Sequence, residues 1–337
     1  MAARTGTAAD GGLRIAILMM QKNESVLLPL FLAYHEALFG SASLYIFDNG
    51  STDPRVIRTL RAAERRGVRV NWEHRTAQDF VNKGEILTRL IKELDHSSPC
   101  DFYFPLDCDE FLAALESSGP SCSRRAIEQV LLPFRGRANT LCISHKYSAN
   151  PLLSNRYQIT TQSRKCFFAC HSCDYLDHGY HHGRCRSGEA DVTVPIVYFE
   201  FHFRPYALSR RASHSKVKAF HGFMLRRNLN DYISKRVPNH HSAITLLQSK
   251  LEYLSQFTPD AFPVVETALL AVFARLGVDH RGLLEPQPPF GRRCWLRWLA
   301  VRALLVDRFT GIHEGVQELI LALPYLYRSL RRRIRGD

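Results

Sequence analysis

Between Arg14 and Leu106 the chain alternates four short apolar runs with three segments of helical spacing, and few folds accept that order. The apolar runs are residues 14–20, 43–47, 68–72 and 101–106, with the β-branched, aromatic and aliphatic content of buried strands. Between them, Leu28, Phe31, Leu32, His35 and Leu38 mark one helix, residues 54–66 a charged second, and Ile86, Leu90 and Leu94 a third. Pro29 suits a first turn, Gly40 a helix end, and Asp48–Pro54 is dense in turn formers. Strands that alternate with helices form an α/β fold with a mainly parallel sheet flanked by helices.

Ligands of such sheets bind beyond the carboxyl ends of the strands, and the polar clusters of this chain fall there. They are Lys22–Glu24 after the first strand, Asp48–Asp53 after the second and Asp107–Glu110 after the fourth. Asp107, Asp109 and Glu110 place three anions within four residues. Such anions repel one another unless a positive partner neutralises them, and a hard divalent cation with oxygen ligands is one solution. A solvated turn leading into a helix, with Asp109 as its N-cap, is the other.

Residues 22–53, KNESVLLPLFLAYHEALFGSASLYIFDNGSTD, together with PLDCDEFL at 105–112, resemble glycosyltransferases of the family-2-like type, which have the nucleotide-sugar-binding A-type fold. The similarity is to the branch related to family 92, where an Asn-Glu pair, an Asp-Asn-x-Ser-Thr-Asp turn and an Asp-x-Asp-Glu-Phe stretch occur in this order. It covers roughly residues 13–220. The resemblance implies sugar transfer from a UDP- or GDP-type donor, with Mn²⁺ or Mg²⁺ bridging the diphosphate oxygens. It further implies Asp48 as an acceptor from the base, Asp107 near the ribose and the metal, and Asp109 as a metal ligand. Glu24, as a base or ribose contact, and Lys83, as a donor to the nucleotide, rank second; a solvated helix start accounts for Lys83 equally well. His202-Phe203-Arg204, ahead of Ser209 and the segment 213–218, matches the place where the family completes its metal shell with a histidine, although Phe203 stands where the family has Tyr. Arg204 is then a candidate diphosphate contact.

Residues 166–185 hold four Cys and four His. Thiolates and imidazoles are the preferred ligands of a structural Zn²⁺, but the Cys-x3-Cys-x2-Cys-x11-Cys spacing fits no standard finger. A half-buried strand with apolar-like cysteines and an acceptor-side loop is the competing reading. An inverting transferase needs a group to take the acceptor proton, and Asp177 and His182 in this segment are the candidates.

The chain is expected to divide into a tail (1–12), a catalytic domain (13–221), a helical appendage (222–285) and a linker with basic amphipathic helices (286–337). Within the appendage, one helix is expected through Ile244, Leu247, Leu251 and Leu254, and a second through Val265, Leu269, Val272, Phe273 and Leu276. Residues 291–337 carry ten Arg, no Lys and four acids, so that +6 of the net charge of +13 lies at the end. With Trp295 and Trp298 among the arginines, this end suits an anionic membrane surface, or a terminal helix pair with a solvated basic face. No run of 18 apolar residues and no cleavable leader is seen, and nine cysteines are an odd number for a disulfide framework, so a cytoplasmic protein, peripheral to the inner membrane face, is expected. Its acceptor is then a glycan or lipid-linked glycan of a cell-surface polysaccharide. Two other classes remain: a basic zinc-containing nucleic-acid-binding protein, and a glycan-binding member of the fold without activity. The first leaves three acidic turns on one sheet edge unexplained, since they repel phosphates, and no nucleic-acid partner is expected.

Overall fold

A computed structural model describes residues 12–286, apart from 163, 222–228, 230–232 and 234–239. The basic C-terminal helices, nearly all of the linker and nearly all of the N-terminal tail lie outside the described residues. The alternation appears as β1 (Ile15–Gln21), α1 (Leu27–Phe39), β2 (Leu44–Asp48), α2 (Pro54–Arg65), β3 (Arg69–Asn71), α3 (Ala77–Val81), α4 (Lys83–Ser97) and β4 (Phe102–Pro105). These four strands pair in parallel in the order β3-β2-β1-β4. β1 is buried along its whole length, because Ile15, Ile17 and Met19 face one core and Ala16, Leu18 and Met20 the other. A strand covered on both faces reads as a continuous apolar run.

The second half follows as β5 (Glu110–Glu116), β6 (Gly119–Ser121), α5 (Arg124–Leu131), β7 (Leu141–Asn150), β8 (Leu153–Thr160), β9 (Cys166–Ala169), β10 (Cys173–Leu176), β11 (Gly183–Cys185) and β12 (Val192–Glu200). After these come α6 (Tyr206–His221), α7 (His240–Leu247), α8 (Lys250–Leu254), β13 (Val264–Val265) and α9 (Ala268–Arg275). The whole is a mixed, eleven-stranded α/β sheet whose main path continues from β4 through β9, β7, β12 and β5 to β6; β10 and β11 pair separately. β9 runs antiparallel to β4, which brings its first residue to the carboxyl edge of the parallel half. Glu110 of β5 pairs with Glu200 of β12, and Glu200 with Ser148 of β7, so a row of polar side chains continues that edge.

Three expectations are corrected. Asp109 caps no helix, because Glu110–Glu116 is a buried strand held between β12 and β6, and this pairing overrides the helical preference of its Leu and Ala residues. The single helix through Ile244 and Leu254 is two, since the side chain of Ser249 accepts the amide of Glu252 and that of Glu252 accepts the amide of Ser249, restarting the helix. The second expected helix starts at Ala268 and does not include Val265. Val265 lies in β13 against β8, while Leu269, Val272, Phe273 and Leu283 complete the main core.

His35 lies wholly inside that core, 4.2 Å from the ring of Phe31 and 6.0 Å from that of Phe111. Nδ1 donates to the Phe31 carbonyl at 3.0 Å, and Nε2 has no partner. Burial, opposed only by that backbone bond, lowers its pKa to about 3. The unfolded chain takes a proton on this residue near pH 6.5 and the folded chain does not, so its contribution to stability is full above that pH and is lost as pH falls towards 3. The slope is about 1.4 kcal/mol per pH unit. Urea unfolding between pH 7 and 4.5 should show this loss in the native protein and a flatter profile in His35→Phe.

Candidate active site

Three groups of side chains meet at the carboxyl edge of β1, β2 and β4. The first closes the turns after β1 and β2. Gln21 Nε2 donates to Asp48 Oδ1 at 2.5 Å and to Ser51 Oγ at 3.2 Å, and the Ser51 amide donates to Asp48 Oδ2 at 2.8 Å. Asn23 adopts a left-handed φ of 57°, which Asn tolerates better than most residues, and its Oδ1 accepts the amides of Thr52 and Asp53 at 2.8 and 2.9 Å, tying the turn after β1 to that after β2. Asp48, expected to meet a base, is instead 2% exposed and has both oxygens engaged in shaping this turn.

The second group is a buried cluster of charges. Asp107 Oδ1 accepts Lys83 Nζ at 2.7 Å and Oδ2 accepts Lys165 Nζ at 2.5 Å. Lys165 also donates to the Gly179 carbonyl at 2.9 Å and lies 3.3 Å from Glu110 Oε1, and the Asp107 amide donates to Glu110 Oε2 at 2.8 Å. Both ammonium groups sit over the ring of buried Tyr180, at 4.3 and 4.7 Å from its centre. Lys83 is therefore no solvated helix start. It is 4% exposed, and Lys165 1%. Burial disfavours the Asp107 carboxylate, but Lys165 and Lys83 outweigh it and hold its pKa well below the usual range. Burial likewise works against charge on Lys165, yet Asp107 and Glu110 outweigh it and keep the ammonium charged. For Glu110, burial and the neighbouring acids prevail over Lys165 and push its pKa well up. Two lysines thus meet on Asp107, and Lys165 reaches Glu110 as well.

Tyr180 adds strain, since its φ of 60° is left-handed for a bulky residue and its hydroxyl is buried without a partner. It stands in the turn between β10 and β11, which the Asp177 amide closes onto the His182 carbonyl at 2.9 Å and the His182 amide onto Asp177 Oδ1 at 3.0 Å. Asp177 is thus partly engaged in its own turn, and His182 is exposed beside it. Gly84 lets the first turn of α4 approach this turn, because a Cβ there would lie 2.3 Å from the Leu176 carbonyl oxygen and 2.4 Å from that of Asp177. Backbone cannot yield cheaply, so Gly84→Ala should destabilise the protein by about 1–3 kcal/mol, measured by urea denaturation.

Arg204 forms the third group. Its Nη1 donates to Glu24 Oε1 and Oε2 at 3.1 and 2.9 Å, and Nη2 to Asp109 Oδ2 at 3.3 Å. Burial raises the pKa of Asp109, but Arg204, with His202 and Lys216, outweighs it and brings the carboxyl below its usual value. His202 is exposed and interacts electrostatically with Asp109; desolvation of the ring lowers its pKa, against the pull of Glu200. Glu200 accepts Ser148 Oγ at 2.8 Å and pairs with Lys146 at 3.2 Å. Asp107, Asp109 and His202 do not gather into one set, since Asp107 is turned to the lysines. Asp109 and His202 offer a carboxylate and an imidazole, donor types that divalent ions accept.

The four cysteines that a structural zinc would use do not gather either, in keeping with the competing reading of buried, apolar-like thiols. Cys166 lies 3.8 Å from Cys142 and donates to the His181 carbonyl, Cys185 contacts Ser187, and Cys173 is buried. Lys165 and Tyr180 were not expected from the sequence. Lys165 precedes an ordinary apolar strand, and only the pairing of β9 with β4 brings it to an acid 58 residues earlier.

No protein-family model and no curated protein matches the chain. Among solved structures, glucosyl-3-phosphoglycerate synthase from Mycobacterium tuberculosis, in complex with phosphoglyceric acid, shares 18% identity over 41% of this chain and 44% of that one, with a TM-score of 0.25. The same synthase with Mg²⁺ and uridine diphosphate gives 13% identity over 62% of this chain and 78% of that one, at 0.30. S. aureus TarS gives 12% identity over 80% of this chain and 54% of that one, at 0.33. The chain thus spans less than half the length of the first of these structures, and the overlaps are partial.

Proposed function

We propose that the chain is a metal-dependent, inverting glycosyltransferase that moves a sugar from a nucleoside diphosphate to a hydroxyl of a glycan or lipid-linked glycan. One observation carries this reading. At the carboxyl edge of a parallel sheet, the paired lysines Lys83 and Lys165, anchored by Asp107 and Glu110, adjoin the Asp109 and His202 donors. A diphosphate leaving group needs both, because charge develops on its oxygens as the glycosidic bond breaks.

In this reading Asp109 and His202 would hold Mn²⁺ or Mg²⁺, which when bound would supply Lewis-acid neutralisation of the departing diphosphate. Lys83 and Lys165 face the same anion and are held in place by Asp107, which acts as their anchor. The ring of Tyr180 keeps water from beneath both ammonium groups. Arg204, now bridging Glu24 and Asp109, lies within reach of an arriving phosphate and keeps its bond to Glu24. Asp177 Oδ2 and His182 stand at the acceptor side as the groups that take the hydroxyl proton. The donor is of the UDP or GDP type.

The test is release of free nucleoside diphosphate from a panel of nucleotide sugars, with Mn²⁺ or Mg²⁺ and with a chelator. Chelator-sensitive release from at least one donor is expected; no release from any of them, with or without acceptor glycans, would overturn the reading. The cytoplasmic, membrane-peripheral site of action rests on the basic end of the chain. Removing residues 291–337 should abolish sedimentation with anionic vesicles, and undiminished binding would discard that part.

A further inference from the structure

We propose that Asp95, Cys170 and His171 form a second metal site, for Zn²⁺ or a chemically similar ion such as Co²⁺, at the end of the sheet away from the candidate active site. Cys170 and His171 follow β9, whose last residue, Ala169, pairs with Phe102 at the start of β4. Asp95 reaches the same place from the last turns of α4. Among the described residues, no other set of three or more His, Cys, Asp or Glu brings its ligand atoms within 4.8 Å of one another.

Asp95 Oδ1 lies 3.7 Å from Cys170 Sγ and 3.8 Å from His171 Nδ1. Tetrahedral zinc with ordinary bond lengths spaces its ligand atoms about 3.3–3.6 Å apart, so both Asp95 contacts lie close to that spacing, and all three ligand atoms lie within 4.8 Å of one another. The chemistry is also suited, since a soft thiolate, an imidazole and one carboxylate favour zinc over magnesium or calcium. The carboxylate is fixed from behind. Its side chain is fully buried, Oδ1 accepts the Tyr103 hydroxyl at 3.0 Å and the His171 amide at 2.9 Å, and Oδ2 accepts Arg186 at 3.3 Å. Outer bonds of this kind orient a ligating carboxylate. His171 has 59% of its side chain exposed, so ions have access and the fourth position is left to water. On binding, the thiol proton passes to solvent and the ion ties α4, β4 and the β9–β10 turn together.

The experiment is a Co²⁺ titration of chelator-stripped, reduced full-length protein, read by its visible spectrum, with Zn²⁺ competition. One equivalent should give a thiolate-to-cobalt charge-transfer band that Zn²⁺ abolishes. Cys170→Ala should remove the band, His171→Ala should weaken cobalt binding at least about tenfold, and Asp109→Ala should leave the band unchanged. Asp95 is too deeply bonded to be a fair test by substitution. A native protein without the band under excess cobalt, or a band that survives Cys170→Ala, would overturn the site.

Discussion

Lys165→Ala should lower the unfolding free energy by about 3–5 kcal/mol, the largest loss expected of any single side chain at the sheet edge. The lysine is 1% exposed and bonds Asp107 at 2.5 Å, with Glu110 at 3.3 Å. Its removal leaves the half-buried carboxylate of Asp107 with Lys83 alone and buried Glu110 with no positive neighbour in contact. Changing Glu110 to Gln in the same chain should recover part of the loss, because a buried acid left without a cation is then replaced by a neutral amide. Urea denaturation of the three proteins measures this. A loss below about 1 kcal/mol for Lys165→Ala would mean that the cluster is open to water.

Asp109→Ala should leave the fold intact and lower turnover by about 10²–10³-fold, the range observed when a group that stabilises developing negative charge is deleted. The fold should persist because Arg204 keeps both of its bonds to Glu24 when Asp109 is lost. Activity should not, because His202 alone is a poor site for a hard ion. Near-normal unfolding with collapsed turnover separates this residue from Lys165, whose change acts first on stability. Equal losses of stability and activity in Asp109→Ala would mean that the carboxylate serves mainly to neutralise Arg204.

The parallel half of the sheet was legible because its strands are covered on both faces and its helices on one, so that period and turn residues alone separate them. β5 was not, since Phe111–Leu115 carries helix-forming residues and is a strand only because β12 and β6 bond to its edges. The same holds for β13, a two-residue strand that exists by pairing with β8. At the site, the acids of the 105–112 stretch could be read as needing a positive partner, and they have one. The sequence reading offered a metal for Asp107 and Asp109, whereas the structure divides the acids: lysines for Asp107 and Glu110, Arg204 for Asp109. Lys165 was hidden because nothing in its neighbourhood hints at an acid; the contact depends on a strand pairing across 58 residues. Asp48 and Glu24 were rightly placed at the edge, but their side chains are engaged with Gln21, Ser51 and Arg204, which a pattern of residues does not reveal.

The central claim is that Asp109 takes part in binding a nucleoside diphosphate together with a divalent ion. Its most direct measurement is the thermal unfolding of the native protein and of Asp109→Ala with UDP and GDP, each with Mn²⁺, with Mg²⁺ and with a chelator. The expected result is an ion-dependent rise in Tm with at least one nucleotide in the native protein and none in the variant. A rise of the same size in Asp109→Ala, or one in the native protein that the chelator does not remove, would contradict the claim.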